Sequence, residues 1–325
     1  MKYFITGATG FIGGRLARQL REAGHEVIAV VRSPAKAQDL AQLGVTLHEG
    51  DVTDKESMRK PMTGVDGVFH VAGWYKVGVR DKSQAYAINV QGTRNVLELM
   101  KELNIRKGVY TSTLAVNSDT HGVEADESYH FTGKHLSVYD QTKAEAHDVA
   151  VNMMKDGLPL VIVQPGVVYG PGDTSSLRVS LIQYLTKQLP VMPKQTAFSW
   201  AHVDDIAHAH WLAMEKGKVG ETYNICGPTY TFIDMLKMAN EITGIRLPMA
   251  VPAGMIRAMS AMMYLFDRFI PVPESYTGEG LRIIAGVTYI GNNSKAKREL
   301  GYNPRPLKEG LTETLKHEMK LLGMY

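Results

Sequence analysis

Residues 2–14 of the chain read KYFITGATGFIGG. The first five form a short, mostly apolar run, and glycines follow at positions 7, 10 and 13 before a helical pattern begins. A strand, a glycine loop and a helix in this order direct free backbone N–H groups at the phosphates of a nucleotide. Gly7 permits the tight turn, Gly10 lets the backbone approach a pyrophosphate, and Gly13 lets the helix pack closely on the strand. The alternative is a glycine-rich turn that binds no ligand.

A second motif lies near the middle of the chain, where residues 139–143 read YDQTK. Residues four apart on a helix lie on the same face, so Tyr139 and Lys143 are predicted neighbours. Of the fifteen tyrosines, Tyr139 alone has a lysine four residues later. An ammonium beside a phenol favours the phenolate, and we therefore expect the pKa of Tyr139 to fall below its reference value of about 10. Such a phenol suits proton transfer near neutral pH.

The two motifs together resemble those of a known family. TGATGFIG followed by YDQTK resembles the extended short-chain dehydrogenase/reductase family, in its dihydroflavonol-reductase-like branch. The stretch SKAKRELG at residues 294–301 is also similar to that family, so the likeness extends from residue 2 to about residue 315.

The resemblance implies an α/β fold with two interleaved parts. The first is a dinucleotide-binding Rossmann domain, a doubly wound parallel sheet over residues 1–166, to which residues 198–226 return. The second is a smaller substrate-binding domain over residues 167–325.

The end of the second predicted strand bears on the choice of cofactor. NAD-binding domains place an acid there to bind the ribose 2′-hydroxyl. Here Val31 takes that place and Arg32 follows it. A guanidinium binds a 2′-phosphate through two hydrogen bonds, whereas a carboxylate would repel it. We therefore expect NADP rather than NAD, bound by Arg32 and Lys36, which also match the branch's "VR…K" pattern; the alternative is that both are solvated loop cations.

The resemblance implies further cofactor contacts. An aspartate after the third predicted strand, here Asp51, meets the adenine edge in the family, although Asp51 could equally cap the helix that follows it. Lys143 is expected at the nicotinamide ribose and Tyr139 beside it. The other residues that the resemblance places at the cofactor are Thr9, Phe11, Ile12, Val52, Val71, Ala72, Gly73, Pro165 and Val168.

The catalytic residues that the resemblance implies are Thr113, Tyr139 and Lys143. The family places a hydroxyl after the fifth predicted strand to hold the substrate carbonyl. When the chain is aligned with the family motif on Tyr139, the residue at that position is Thr113. Ser112 is the alternative if that alignment is shifted by one. Tyr139 would donate the proton and Thr113 would hydrogen-bond the same oxygen, which together make a carbonyl–alcohol redox site.

Three functions are compatible with these motifs. The first is an NADP-dependent oxidoreductase that reduces a ketone or aldehyde of a small, fairly apolar substrate, or runs in reverse. The second is a sugar-nucleotide epimerase or dehydratase, but Val167 and Phe198 stand where such relatives place an asparagine and an arginine. A diphosphate without those partners would be poorly compensated, which favours the reductase. The third is an idle NADP-binding sensor, which has no need of a tuned tyrosine.

Composition narrows the other possibilities. The chain has 325 residues, 44% of them hydrophobic, and a net charge of +3, too small to indicate nucleic acid or an anionic membrane as a partner. Its single cysteine, Cys226, excludes an internal disulfide and suits the cytoplasm. No signal peptide or transmembrane run is apparent. A small-molecule substrate is the expected partner, and the segments 175–197 and 245–285 are expected to line its pocket without identifying it.

Three weaker patterns remain. The helices predicted over 88–103 and 139–156 could form a homodimer contact, or their apolar residues could be core. The methionine-rich segment 253–270 predicts core packing or a flexible wall of an apolar pocket. His202, His208 and His210 suggest a metal site, but none is predicted, because His208 and His210 do not face the same way on a helix and no cysteine supports them.

Overall fold

The computed structural model describes residues 1–267, 269 and 272–324. Arg268 and Ile270, in the predicted methionine-rich segment, lie outside the described residues, as does Tyr325. The strands are β1 (Lys2–Thr6), β2 (Glu26–Val31), β3 (Thr46–Glu49), β4 (Gly67–His70), β5 (Gly108–Thr111), β6 (Leu160–Pro165), β7 (Val167–Tyr169), β8 (Val191–Pro193), β9 (Ala197–His202), β10 (Thr222–Ile225), β11 (Thr229–Thr231), β12 (Met249–Val251) and β13 (Thr288–Tyr289).

The α-helices lie between and after these strands. They are α1 (Phe11–Glu22), α2 (Gln38–Gln42), α3 (Lys55–Met62), α4 (Ser83–Ala85), α5 (Thr93–Glu102), α6 (Val138–Lys155), α7 (Ser176–Leu185), α8 (Val203–Lys216), α9 (Phe232–Thr243), α10 (Ala253–Phe266), α11 (Gly278–Arg282), α12 (Ser294–Leu300) and α13 (Leu307–Leu321).

A parallel sheet of seven strands forms the larger part of the fold, in the order β10-β6-β5-β4-β1-β2-β3. Strands β4, β5 and β6 are buried along their whole length, because α1 and α8 cover one face and α3, α5 and α6 cover the other. Strands covered on both faces read as continuous apolar runs, as these do. The chain reverses its direction of growth between β1 and β4, where doubly wound sheets bind their ligands. The predicted Rossmann fold is confirmed.

The smaller part of the fold is built around β9. This strand pairs with β7, β11 and β13, and a separate pair joins β8 to β12. Helices α7, α9 and α13 pack on it around a core that includes Trp200 and Phe232. Within the segment 198–226, which is expected from the sequence to return to the Rossmann domain, α8 packs on the large sheet and β10 pairs in it. The start of that segment lies in β9, which belongs to the smaller sheet. Helix α12 also packs on α8 and β10.

The start of α6 is fixed by local chemistry. Ser137 has extended backbone and its hydroxyl accepts a hydrogen bond from the N–H of Asp140 at 3.1 Å, which satisfies one free donor of the first turn. Asp140 places an acid near the positive end of the helix and Lys155 a base near the other end. The helix therefore begins at Val138 and holds Tyr139 and Lys143 in its first two turns.

The helix predicted over 88–103 belongs to a longer helical segment that is wound in two ways. Tyr86–Gly92 is wound as a wide π-helix and continues directly into α5. Such turns often occur at functional sites, and this one carries Asn89 toward the loop after β4. Leu97 and Met100 of α5 are fully buried in the core of the large sheet. The apolar face of α5 therefore packs in the core of this chain. A homodimer contact through the helices over 88–103 and 139–156 stays a prediction.

The methionine-rich helix α10 lies on the surface. Met255 and Met262 are 54% and 51% exposed, and no residue of α10 lines the cavity that contains Tyr139 and Lys143. Only one edge, at Ala253, Ile256 and Ser260, is buried, where α10 packs on α11. Both expectations for this segment, core packing and a pocket wall, are wrong for most of its methionines. Among the described helices none is long and apolar enough to cross a membrane.

Candidate active site

A cavity of about 660 Å³ opens at the edge of the large sheet where its strands end and the smaller sheet begins. Every residue that the sequence suggested for cofactor binding or catalysis lines this cavity, with the exception of Lys36. The fold thus gathers residues from positions 7 to 168 into one continuous wall. The wall can be divided into two halves. One half lies beside the glycine loop, and the other lies beside the smaller sheet.

The glycine loop fits a dinucleotide. Gly7 has a φ of +74°, and a side chain there would place Cβ 2.6 Å from the Ala72 nitrogen. A Cβ on Gly13 would lie 2.2 Å from the Gly7 carbonyl oxygen. Helix α1 begins at Phe11 without a side-chain cap, so its first N–H groups point free into the cavity mouth. Such a helix end binds phosphate oxygens.

Two charged groups line the far end of this half. The exposed guanidinium of Arg32 makes no hydrogen bond or ion pair with the described residues. Asp51 Oδ1 accepts hydrogen bonds from the N–H and the hydroxyl of Thr53, both at 2.8 Å. The alternative in which Asp51 caps the next helix is wrong, since Asp54 caps α3. Lys36 is exposed and stands outside the cavity wall.

Thr113 and Tyr139 both line the cavity, and the Thr113 hydroxyl lies close enough to the phenol to lower its pKa. Thr113 lies two residues after β5, and its hydroxyl accepts a hydrogen bond from the N–H of Ala115 at 3.2 Å. The Ser112 hydroxyl is instead bonded to Nδ1 of His147 at 2.9 Å. The two alternatives for the substrate-holding hydroxyl therefore differ in their surroundings: Ser112 is bonded to His147, whereas Thr113 lies close enough to Tyr139 to shift its pKa.

Lys143 is buried under the sheet edge. Its Nζ donates hydrogen bonds to the Thr111 carbonyl oxygen at 2.8 Å and to the Tyr110 hydroxyl at 3.3 Å. The ammonium also lies 5.0 Å from the centre of the Tyr110 ring. Burial disfavours the charged form and lowers the pKa of Lys143 to about 7.

The expected lowering of the Tyr139 pKa is wrong for this structure. Burial raises the pKa of Tyr139 to about 12, the nearby Thr113 hydroxyl opposes that rise, and Asp140 adds to it. Lys143 does not counter this effect, because its amine is directed at the strand carbonyl and its own burial weakens the ammonium. The phenol is therefore fully protonated at neutral pH, as a proton donor must be.

A buried chain of hydrogen bonds supports Lys143 from behind. His70 is bonded to the Thr6 hydroxyl at 2.8 Å and to the Thr93 hydroxyl at 3.0 Å, and Thr93 in turn is bonded to Tyr110. Burial lowers the pKa of His70 to about 3, so the imidazole stays neutral and its two nitrogens serve as one donor and one acceptor. This chain connects the strand before the glycine loop to the partner of the Lys143 amine.

The half of the cavity beside the smaller sheet is largely apolar. Its wall includes Trp74, Tyr75, Val77, Leu114, Val167, Leu177, Phe198, Trp200, Phe232, Ile283, Ile284 and Tyr289. Two buried carboxyl groups, Asp140 and Asp173, also line it. Across the described residues of the whole wall, the cations are Arg32 and Lys143, and neither lies in this half.

Sequence reasoning missed several of these residues. Trp74 and Tyr75 come from the loop after β4, and Tyr289 comes from β13, all outside the segments 175–197 and 245–285. The expectation that those two segments supply the pocket is right only for residues such as Leu177 and Ile283. Asp140 could have been suspected as a site residue, because it lies inside the YDQTK motif. Its burial, however, does not follow from the spacing of that motif.

The three histidines considered for a metal site occupy different environments. His210 is buried, bonded to the Thr111 hydroxyl at 2.9 Å and to the Ile206 carbonyl oxygen at 2.7 Å, which accounts for both of its nitrogens. His208 contacts Trp211 at the surface. His202 caps α8 and lies within 4.8 Å of carboxylate oxygens of Asp204 and Glu313, in a group that does not line the cavity.

Comparisons with known proteins match nearly the whole chain. Residues 3–226 match the model of the NAD dependent epimerase/dehydratase family. A Synechocystis protein provisionally named a dihydroflavonol 4-reductase is 30% identical, over 96% of this chain and 93% of that protein. A Stigmatella aurantiaca 4-hydroxy-2-methyl-3-oxo-4-farnesyl-3,4-dihydroquinoline-1-oxide ketoreductase is 30% identical, over 94% and 92%. The solved structure of gox2253 superposes with a TM-score of 0.85 at 29% identity, over 99% and 98% of the two chains.

Proposed function

The chain belongs to the NAD dependent epimerase/dehydratase family, and from this premise we propose that it is an NADP-dependent reductase of a ketone or aldehyde on a fairly apolar substrate. The family and the matched relatives are NAD(P)-dependent oxidoreductases and epimerases. One observation carries the choice between them. The half of the cavity beside the smaller sheet, which we call the substrate half, has aromatic and aliphatic walls and two carboxyl groups. Among its described residues there is no cation.

A nucleotide sugar is a poor match for that wall. Its diphosphate carries negative charge that proteins normally meet with Arg or Lys side chains, or with a free helix N-terminus. The N-terminus of α7, which lines this half, is already capped by Ser175. Val167 and Phe198 line the cavity at the positions where nucleotide-sugar relatives are expected to place an asparagine and an arginine. Asp140 and Asp173 would add repulsion when ionised. An apolar ketone instead buries its hydrocarbon against Trp200 and its neighbours, at about 25 cal/mol per Å² of apolar surface.

The reaction needs few groups from the protein. The nicotinamide cofactor supplies the hydride when it is bound. The Tyr139 phenol donates its proton to the oxygen that becomes the alcohol, and in reverse takes that proton back. The Thr113 hydroxyl bonds the same oxygen and fixes its position between the two side chains. Lys143 would hold the nicotinamide ribose, and its hydrogen bond to the Thr111 carbonyl at 2.8 Å fixes the amine at the end of β5.

Hydrogen bonds made by Asn89 and Tyr75 hold the loop that follows β4 at this site. The Asn89 side chain bonds both the N–H and the carbonyl of Trp74, at 2.7 and 3.0 Å, and also the Thr142 hydroxyl on α6. The Tyr75 hydroxyl is bonded to the Thr174 hydroxyl at 2.9 Å, across the mouth of the cavity. We expect these contacts to orient the aromatic wall over the substrate and to exclude water from Tyr139.

A panel of carbonyl compounds tests the proposal. Purified protein with NADPH is mixed with aromatic and aliphatic ketones and aldehydes, and loss of NADPH absorbance is followed. Thermal shifts with the same compounds, and with UDP- and dTDP-sugars, are measured in parallel. The proposal expects turnover and stabilisation with ketones. Stabilisation by a nucleotide sugar alone, with epimerised product and no net NADPH loss, would instead establish the epimerase that the family name also allows.

Arg32→Ala should weaken NADPH binding and leave NADH binding nearly unchanged. Each charge-assisted hydrogen bond to a 2′-phosphate is worth about 1.5–3 kcal/mol, so the Kd for NADPH should rise on the order of 10- to 100-fold. Fluorescence titration of both cofactors measures this. Lys36→Ala is the matched control, because Lys36 lies outside the wall. Tighter binding of NADH than NADPH by the unmodified protein would contradict the NADP preference.

Thr113→Val should slow turnover about 10- to 100-fold, since a lost hydrogen bond at a buried site costs roughly 1–3 kcal/mol. NADPH binding should be spared, because the hydroxyl faces the substrate oxygen. Ser112→Ala removes the neighbouring hydroxyl, which is bonded to His147, and serves as the comparison. If the Ser112 variant shows the larger loss of kcat, then Ser112 is the substrate-holding hydroxyl.

A further inference from the structure

The substrate half of the cavity contains a buried polar pair that hydride transfer does not use. Tyr289 on β13 donates its hydroxyl hydrogen to Oδ2 of Asp140 on α6 at 2.9 Å. Asp140 and Tyr289 both line the cavity and are 2% and 8% exposed. The Phe198 ring stacks on Tyr289, with 6.0 Å between ring centres. An ionisable carboxyl thus stands in an aromatic wall, where burying it is costly unless it is hydrogen-bonded.

This carboxyl has more acceptor sites than partners. An ionised carboxylate offers about four lone-pair sites. The Tyr289 hydroxyl supplies one hydrogen, and Ser137 lies close enough to the carboxyl to lower its pKa. No ion pair joins Asp140 to any described residue, and its charged neighbour on α11, Glu279, is a second carboxyl. The wall therefore offers spare acceptors at this point and no further donor.

We propose that Asp140 and Tyr289 bind a hydroxyl group of the substrate, a second oxygen distinct from the carbonyl beside Tyr139 and Thr113; this rests on the proposed reductase function. A hydroxyl brings the hydrogen that the carboxylate lacks, whereas a phosphate or carboxylate group would meet it with like charge. The Asp140 carboxyl lies close enough to the Tyr139 phenol to help raise its pKa, and both side chains line the same cavity. The substrate class is therefore an apolar ketone that carries a hydroxyl near its carbonyl.

The ionisation of Asp140 should control this preference. Burial raises the pKa of Asp140 to about 7, the hydroxyls of Tyr289 and Ser137 oppose that rise, and Glu279 adds to it. Tyr139 and Tyr289 stay protonated through neutral pH, since burial raises the pKa of both. Above pH 7 the carboxylate accepts the substrate hydrogen, and below it the added proton occupies an acceptor site. The preference for a hydroxylated ketone should therefore rise with pH through about 7.

The test uses α-tetralone and its monohydroxy derivatives, with NADPH. The quantity measured is the ratio of kcat/KM for each hydroxylated ketone to kcat/KM for α-tetralone. Lys143 titrates in the same pH range. Its effect on kcat/KM is expected to be the same for every ketone, because it acts at the carbonyl end, and this effect therefore cancels in the ratio. For at least one derivative we expect the ratio to exceed one, to rise with pH through about 7, and to fall about 10- to 100-fold in Asp140→Asn.

Asp119→Asn is the matched control. Asp119 accepts hydrogen bonds from the N–H and hydroxyl of Thr288, both at 3.0 Å, and so holds β13 next to Tyr289 without lining the cavity. A loss of the ratio in Asp119→Asn equal to that in Asp140→Asn would mean that support of β13, and not hydroxyl binding, is the role of Asp140. A ratio that is flat with pH in the unmodified protein also overturns the inference. Failure to reduce any ketone in the series would overturn the proposed function itself.

Discussion

Tyr139→Phe should fold normally, bind NADPH nearly as well as the unmodified protein, and lose turnover by roughly 10²–10⁴-fold, the usual effect of removing a positioned general acid. The ring stays in place, so packing around it is conserved and only the hydroxyl is lost. The size of the loss follows from the site: Tyr139 is the buried phenol beside Thr113, and burial keeps it protonated at neutral pH with a pKa of about 12. Single-turnover measurements of NADPH oxidation give the rate directly.

The control for this prediction is another buried tyrosine. Tyr223→Phe removes a hydroxyl that accepts from the Lys218 N–H and donates to Glu299, on a strand that does not line the cavity. Its turnover should match the unmodified protein. A Tyr139→Phe variant that keeps more than about a tenth of the turnover, a loss below 1.4 kcal/mol, would show that Tyr139 is not the acid.

Lys143→Met should reduce turnover by about 10²–10³-fold, the effect of losing one preorganised electrostatic contact in a water-excluded site. It should also raise the Kd for NADPH, because the amine binds the ribose in the proposed mechanism. This combined effect separates Lys143 from Tyr139, whose variant loses turnover alone. Lys107→Met is the matched control: its amine is also partly buried and donates to a carbonyl, that of Gly217 at 2.6 Å, but lies away from the cavity.

The same variant should change the pH dependence of stability. The folded-state pKa of Lys143 lies at about 7, below its ordinary 10.5, so between these values the unfolded chain binds more protons than the folded protein. Stability from this group therefore rises with pH across that window, and the penalty is largest at and below pH 7. Lys143→Met removes the penalty. Its Tm should exceed that of the unmodified protein at pH 7, and the difference should shrink toward pH 10.

An equal Tm difference at pH 7 and pH 10 would mean that the amine is charged in the folded protein and that its burial is compensated. In that case, Lys143 would be able to lower the Tyr139 pKa, as the motif spacing suggested. Measuring Tm with and without NADPH separates loss of cofactor affinity from loss of stability, since a bound ligand raises Tm according to its concentration and Kd.

The sequence by itself determined the large sheet and the cofactor half of the site. The order strand, glycine loop and helix at residues 2–14 is a local pattern, and the close contacts at Gly7 and Gly13 show why no other residue serves there. The placement of Tyr139 and Lys143 on one helix also follows from spacing alone, because helix geometry fixes neighbours four residues apart.

The tertiary structure decided the substrate half and the proton affinities. Trp74, Asp140 and Tyr289 meet in one wall although up to about 200 residues separate them, and no local spacing encodes such a meeting. The pKa of Tyr139 rises and that of Lys143 falls because both groups are buried, and burial depends on everything that packs around a side chain. The motif could name these two residues, but only the surrounding fold sets which of them holds a proton at neutral pH.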